Sequence, residues 1–341
     1  MKGANMSNEY FPLQAAVMSE EALGDYIASN YFSKNTTIKC RLFWRSIHDV
    51  YRVISGDSIY YYKMYKQGFR RYTEIKSEID ILNHLIMSDI EVVRPIAQKD
   101  GTYIGKFKTV FGERYGVLYA SVGRCGFGEV EETSQLNNSL GAYIASVHKA
   151  LDGIDVDIDR WELNTKLFID DSMAEIKRFS EIHSFDTEFL SDVAKRVKFK
   201  LSTLSTGKPE YGLCHGGIGP ENIRFDENNQ PILFDFDFCG NVWRAYDIGY
   251  AYPFRLGYDS KKFEMRERRK NDFLDGYSKI RTMSSCEIDS LPVFGLFRRI
   301  FNMGTLYVSI LHNTWGDSLT IQQINGDIEN IKKWLALNPV I

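Results

Sequence analysis

The chain has 341 residues, more than one compact core commonly holds, and its 44% hydrophobic and 26% charged residues are those of an ordinary globular protein with two domains or lobes. A net charge of −3 excludes a nucleic-acid binder that works by bulk electrostatics, and no run approaches the roughly 18 apolar residues of a membrane span. Cys40, Cys125, Cys214, Cys239 and Cys286 are odd in number, scattered and never paired as C-x-x-C, so neither a disulfide framework nor a zinc site is indicated. With no apolar signal-peptide core at the amino terminus, a reducing cytoplasm is the expected compartment.

Taken in order, Ser19 to Tyr31 reads as a helix: Ser19 offers a cap oxygen, Glu20 and Glu21 suit the positive end of the dipole, and Leu23, Tyr26 and Ile27 repeat at helical spacing. Strands follow at Thr37 to Trp44, Asp49 to Ser55 and Ser58 to Tyr65, the last two joined by a Gly56-Asp57 turn into an antiparallel sheet. Lys63 lies mid-strand between bulky residues, where a charge needs an anionic partner. Glu78 can supply it from the helix predicted over Tyr72 to Met87, whose apolar face is Ile75, Ile79, Leu82 and Leu85. Glu91 to Ala97, Thr102 to Lys108 and Tyr115 to Tyr119 read as further strands, with Asp100-Gly101 as a turn.

From Glu132 the pattern becomes helical: Ser134 to Ala150, 167 to 183, 187 to 204, Lys261 to Tyr277, Glu287 to Asn313 and Ile321 to Leu337. His148 falls on the apolar face of the first of these and is read as a packing histidine. Leu296, Ile300, Met303, Leu306 and Ile310 mark a core helix, and its Arg298 and Arg299 argue against a membrane segment. The organising stretch is Tyr211 to Tyr250. Gly212 to Cys214 and Pro231 to Phe234 are short apolar runs, each leading into polar residues. Ile223 to Phe225 is a further strand, and the turn residues Asp226 to Asn229 fold it back as a hairpin. That hairpin brings Asn222 close to Asp235, and an amide oxygen with a carboxylate, Asp237 nearby, makes a hard-oxygen site suited to Mg2+.

HGGIGPEN from His215, FDFD with its first aspartate thirteen positions after Asn222, and WRAYDIG from Trp243 together resemble the catalytic segment of the aminoglycoside phosphotransferase-like kinases. His215, Gly216, Asn222, Asp235, Asp237, Tyr246 and Asp247 fall on that family's pattern. The resemblance implies an α+β, two-lobed protein-kinase-like fold: an amino-terminal lobe over 1–119, a hinge over 120–126, and a helical lobe over 127–341 with the catalytic and metal loop at 213–238. It implies ATP and Mg2+ as cofactors. Lys63, held by Glu78, would meet the phosphates, and Arg45 to Asp49 would close over them. Backbone groups of Ala120, Ser121 and Val122 would pair with an adenine edge and Tyr119 would gate the pocket behind it, Asn222 and Asp235 would hold the metal with Asp237 assisting, and Asp247 would brace the loop by accepting hydrogen bonds from its backbone or from His215. Gly217 stands where the family has the aspartate that orients the substrate hydroxyl and takes its proton, and Gly219 replaces the second histidine.

The expected activity is transfer of the γ-phosphoryl group to a hydroxyl of a small molecule or peptide. Tyr250, Tyr252, Arg255, Tyr258 and Asp259 are the candidate acceptor-lining residues. Glu221, Asp237 or a carboxylate of the substrate are the candidate replacements for the base. Two other readings stay open at this level: a catalytically impaired pseudokinase that binds nucleotide and regulates or scaffolds a protein partner, and a substitution at Gly217 in an enzyme that ordinarily has aspartate. The acceptor itself is not legible.

Overall fold

The computed structural model describes residues 16–34, 36–127, 129–250 and 263–337. Its packing divides the chain into two compact units, 1–70 with 96–119, and 71–95 with 120–341.

The first unit carries helix α1 (Glu20–Tyr31), capped by Ser19, whose hydroxyl accepts the Ala22 N–H at 3.3 Å. Strands β1 (Ile38–Arg45), β2 (Asp49–Ser55) and β3 (Ser58–Met64) follow as an antiparallel meander, and β6 (Gly112–Ala120) lies next to β3 with β5 (Ile104–Thr109) beyond it. The core is alternate residues of the sheet, Cys40, Tyr51, Val53, Tyr62, Met64 and Leu118, covered by Leu23 and Ile27 of α1. The period-two burial follows from side chains pointing to opposite faces of a strand.

The second unit opens with helix α2 (Tyr72–Met87), whose bounds match the prediction. The predicted strand from Glu91 to Ala97 forms only as the two-residue strand β4 (Pro95–Ile96), with an isolated bridge from Val92 to Leu233. Two features, one local and one from a distant helix, interrupt the ladder. Pro95 has no N–H to give, and the Tyr143 hydroxyl inserts itself, donating to the Glu91 carbonyl at 2.6 Å and accepting the Leu233 N–H at 3.0 Å.

Helix α3 (Ser134–Asp152) is followed by the short strand β7 (Trp161–Glu162), a π-helical turn at Lys166–Asp171 leading into α4 (Ser172–Ser180), and α5 (Thr187–Leu201). Strand β8 (Tyr211–Cys214) leads into the loop. The hairpin of β9 (Ile223–Phe225) and β10 (Pro231–Leu233) then delivers the chain to β11 (Gly240–Trp243), which pairs antiparallel with β8 and parallel with β7. Helices α6 (Arg244–Tyr250), α7 (Phe263–Ser278), α8 (Ser285–Phe301) and α9 (His312–Leu337) complete the unit. A π-helical stretch over Asn302–Leu311 joins α8 to α9, which is kinked at Gly316, φ 71°. Among the described residues no helix is long and apolar enough to cross a membrane.

Candidate functional site

The loop after β8 is held by one buried carboxylate. Asp247, on the α6 helix and fully buried, accepts the His215 N–H at 2.7 Å with one oxygen and the Gly216 N–H at 2.8 Å with the other. Burial works to raise this carboxyl, yet hydrogen bonds from His148 and the loop amide and the nearby imidazoles overcome it and hold the pKa below the usual carboxylate range. On the far side of the same peptide, the Gly216 carbonyl accepts from the Tyr246 hydroxyl and from Arg298 Nη1, both at 3.1 Å. Gly216 has φ +79°, and a Cβ there would stand 1.9 Å from the Phe238 carbonyl oxygen, so only glycine fits.

His215 is also fully buried. Its Nε2–H donates to the Phe234 carbonyl at 3.0 Å and its ring packs on Phe236, with centroids 4.4 Å apart. Burial lowers its pKa, so the ring is neutral with a bare Nδ1. The Asn222 carbonyl accepts the Phe234 N–H at 3.1 Å, which closes the hairpin and places Asn222 beside the residue that precedes Asp235. Asn222 Nδ2 donates to the Gly217 carbonyl at 2.9 Å, leaving Oδ1 as a hard oxygen donor. Asp235 is exposed and left-handed, at φ 61° and ψ 64°, and Asp237 is 2% exposed in the following 3-10 turn, Phe236–Phe238. The donor set of an amide oxygen and a carboxylate, with no soft ligand, fits Mg2+.

Gly217 differs from its neighbour. A Cβ built there meets nothing closer than Asn222 Nδ2 at 3.7 Å and His215 Nδ1 at 3.9 Å, and the residue does not take up the left-handed backbone of Gly216. Position 217 therefore accepts a Cβ without a clash.

Glu78 is 1% exposed on α2. Arg160, which sequence reading missed, reaches it with Nη1 at 3.9 Å from Oε2, and donates to the carbonyls of Glu74 at 3.1 Å, Cys239 at 3.0 Å and Phe236 at 3.3 Å, as well as to that of Asp237. Arg298 was noted only as evidence against a membrane segment. It is 6% exposed under the rings of Phe238, Tyr250 and Phe301. Neither arginine stands at a spacing from the loop motif that a sequence pattern exposes. His148 is fully buried, as the packing reading requires, and it also bonds: Nε2 lies 3.3 Å from Asp247 and Nδ1 2.9 Å from the Tyr277 hydroxyl. Burial pushes its pKa down to about 4.

His148, Cys214 and Asp247 bring their ligand atoms within 4.8 Å of one another. Arg244 Nη1 lies 3.6 Å from the Cys214 sulfur, and both Asp247 oxygens hold loop amides, so this grouping is a structural network.

In the first unit, Lys63 is 8% exposed on β3, its Nζ 4.9 Å from the centre of the Tyr65 ring. Tyr119, at the end of β6, shares a hydrogen bond of 3.1 Å with the Tyr65 hydroxyl. The predicted phosphate loop is reduced to Ser46–His48 between β1 and β2. In the second unit Ala120 donates its N–H to the Arg94 carbonyl at 2.9 Å, Ser121 is exposed and Val122 half-buried. Of the predicted acceptor-lining residues, Tyr250 is buried against Arg298, and Tyr252, Arg255, Tyr258 and Asp259 lie outside the described residues.

Comparison with known proteins agrees with this architecture. The chain is 27% identical to a protein of Synechocystis sp. (strain ATCC 27184 / PCC 6803 / Kazusa) over 84% of its own length and 78% of that protein. Among solved structures it is similar to amicoumacin kinase hAmiN in complex with AMP-PNP, Ca2+ and Ami, with a TM-score of 0.74 at 20% identity over 92% of this chain and 93% of that one. It is also similar to the microcompartment-associated aminopropanol kinase, with a TM-score of 0.73 at 21% identity over 93% and 98%. The fold is thus that of the kinase-like phosphotransferases, an antiparallel sheet followed by a helical region. The model of the phosphotransferase enzyme family matches residues 40–282, well over half of the sequence, and the chain belongs to that family.

Proposed function

We propose that this protein is an ATP- and Mg2+-dependent phosphotransferase that moves the γ-phosphoryl group of ATP to a hydroxyl of a small molecule. The observation that carries the reading is the Asp247-fastened loop joined, through Asn222, to the hairpin that ends at Asp235. Family membership supports it, as do two structural neighbours whose names are those of small-molecule kinases, one holding an ATP analogue with a divalent cation.

In this reading Asn222 Oδ1 and the Asp235 carboxylate hold the metal, with Asp237 assisting. When bound, Mg2+ offsets phosphate charge and polarises the transferring group. Lys63 contacts the phosphates, Glu78 is the acidic group of α2 that serves the nucleotide site, and Ala120 to Val122 meet the adenine edge. His215 and Asp247 act on the loop: the neutral imidazole ties it to the residue before Asp235, and the carboxylate fixes the peptide that precedes Gly217. Phosphoryl transfer passes through a loose transition state, so positioning and charge stabilisation supply most of the acceleration. General-base help adds about 10²–10⁴-fold. Position 217 supplies none of it, and in this reading the chain is a slow kinase.

The test is isothermal calorimetry of ATP with and without Mg2+, followed by ATP turnover against a panel of amino alcohols, sugars and peptides. Mg2+-dependent binding and acceptor-dependent ADP release are the expected results. Absence of nucleotide binding contradicts the reading.

A further inference from the structure

Residues Asp159 to Glu162 form a strap between two parts of the site. At one end Asp159 accepts from Arg71 Nη2 at 2.6 Å and from the Thr73 hydroxyl at 2.5 Å, while its own N–H donates to Ser77 Oγ at 2.9 Å. All three partners belong to the start of α2, the helix that bears Glu78. At the other end Trp161 and Glu162 run parallel to Gly240 and Asn241 of β11, directly after the turn that carries Asp235 and Asp237.

Arg160 stands between them, its side chain 1% exposed. One edge of the guanidinium faces α2, with Nη1 on the Glu74 carbonyl at 3.1 Å and 3.9 Å from Glu78. The other edge faces the turn, with Nε on the Cys239 carbonyl and Nη2 on those of Phe236 and Asp237. Those three carbonyls belong to the turn that follows Asp235, whose left-handed backbone at φ 61° is an uncommon state for a residue with a side chain. Such conformations persist where the surroundings over-determine them. A planar fork with five donors can hold three carbonyls on one side and a helix on the other, and an ammonium cannot.

We propose that Arg160 is a positioning residue for the metal-bearing turn. It holds Asp235 in its ligating geometry and ties that geometry to the helix of Glu78, so that a shift of the helix is felt at the metal. The inference rests on the proposed roles of Asp235 and Glu78. It touches neither substrate nor metal, and acts through the carbonyls it binds.

The test compares the native protein with Arg160→Gln and Arg160→Lys, reading the Mg2+ concentration at half-maximal stabilisation by ATP in thermal unfolding, and the unfolding midpoint without nucleotide. Partners that orient a metal ligand are worth about 10–100-fold in metal affinity. Arg160→Gln is expected to raise the Mg2+ midpoint by about that factor. Arg160→Lys, which keeps the charge and loses the fork, is expected to raise it several-fold, and it carries the test if the glutamine variant does not fold. Millimolar guanidinium added to Arg160→Gly is expected to restore part of the loss. An unchanged Mg2+ midpoint in a folded variant, with only a lower unfolding midpoint, overturns the proposal and leaves Arg160 as structural. If the native protein itself shows no Mg2+-dependent stabilisation by ATP, the functional reading fails, and that outcome is read before any variant is made.

Discussion

Asp247 accepts the Gly216 N–H at 2.8 Å while the Gly216 carbonyl is held by Tyr246 and Arg298, so the peptide leading to Gly217 is fixed from both sides. Removing the carboxylate strands two buried backbone N–H donors and the His148 Nε2–H, at about 1–3 kcal/mol each. Asp247→Ala is therefore expected to lose several kcal/mol in urea unfolding, and to lose activity even where it folds. Asp247→Asn keeps one acceptor and turns an amide N–H2 toward the other donor. Its loss should be smaller but of the same sign.

The same network predicts a pH dependence. His148 is held neutral, with its pKa pushed down from 6.5 to about 4, so between those values the unfolded chain binds more protons than the folded one. Stability is then fully present above about pH 6.5 and falls as the pH drops through this window. The lowered pKa of Asp247 adds a loss of the same sign at more acid pH. Urea titrations at a series of pH values should show unfolding taking up about one proton through His148 in the window, in addition to uptake by His215, whose pKa burial also lowers. A His148→Gln variant should flatten that slope, and an equal slope in both proteins contradicts the assignment.

Adjacent glycines should respond differently. Gly216→Ala places a methyl 1.9 Å from the Phe238 carbonyl at positive φ, and should cost about 3 kcal/mol or more. Gly217→Ala meets nothing closer than 3.7 Å and is expected to be neutral or slightly stabilising, as a glycine replaced where the backbone tolerates a side chain. Thermal unfolding of the two variants side by side checks this.

Asp235→Asn keeps the shape of the side chain and removes its charge. It is expected to raise the Mg2+ needed for ATP binding by more than about ten-fold, since in the proposed site it is a direct ligand and outweighs an orienting neighbour. The unfolding midpoint without nucleotide should hardly move, because the side chain is exposed.

Much of this was legible in the residues. Strands β2 and β9 and the whole of α2 fall at their predicted bounds because alternation and a one-sided apolar stripe are local signals. The hairpin that closes with the Phe234 N–H on the Asn222 carbonyl was legible too, since a hairpin sets its own register. The strand expected at Glu91 to Ala97 failed on a non-local cause, the Tyr143 hydroxyl arriving from α3 to take the ladder positions. Arg160 and Arg298 were invisible as site residues for a related reason. Their partners are carbonyls 76 to 86 and 82 positions away in the chain, and no spacing rule encodes such contacts.

The most direct test of the central claim is ATP turnover with Mg2+ in the native protein and in Gly217→Asp, against the same acceptor panel. A Cβ at position 217 meets nothing closer than 3.7 Å, and the loop that carries it is fastened by Asp247 and Asn222. The variant is expected to fold with an unchanged Mg2+ requirement and to turn over an acceptor about 10²–10⁴-fold faster than the slow native protein. A well-folded Gly217→Asp that neither binds Mg·ATP nor releases ADP with any acceptor contradicts the assignment of this loop and hairpin as a phosphotransfer site.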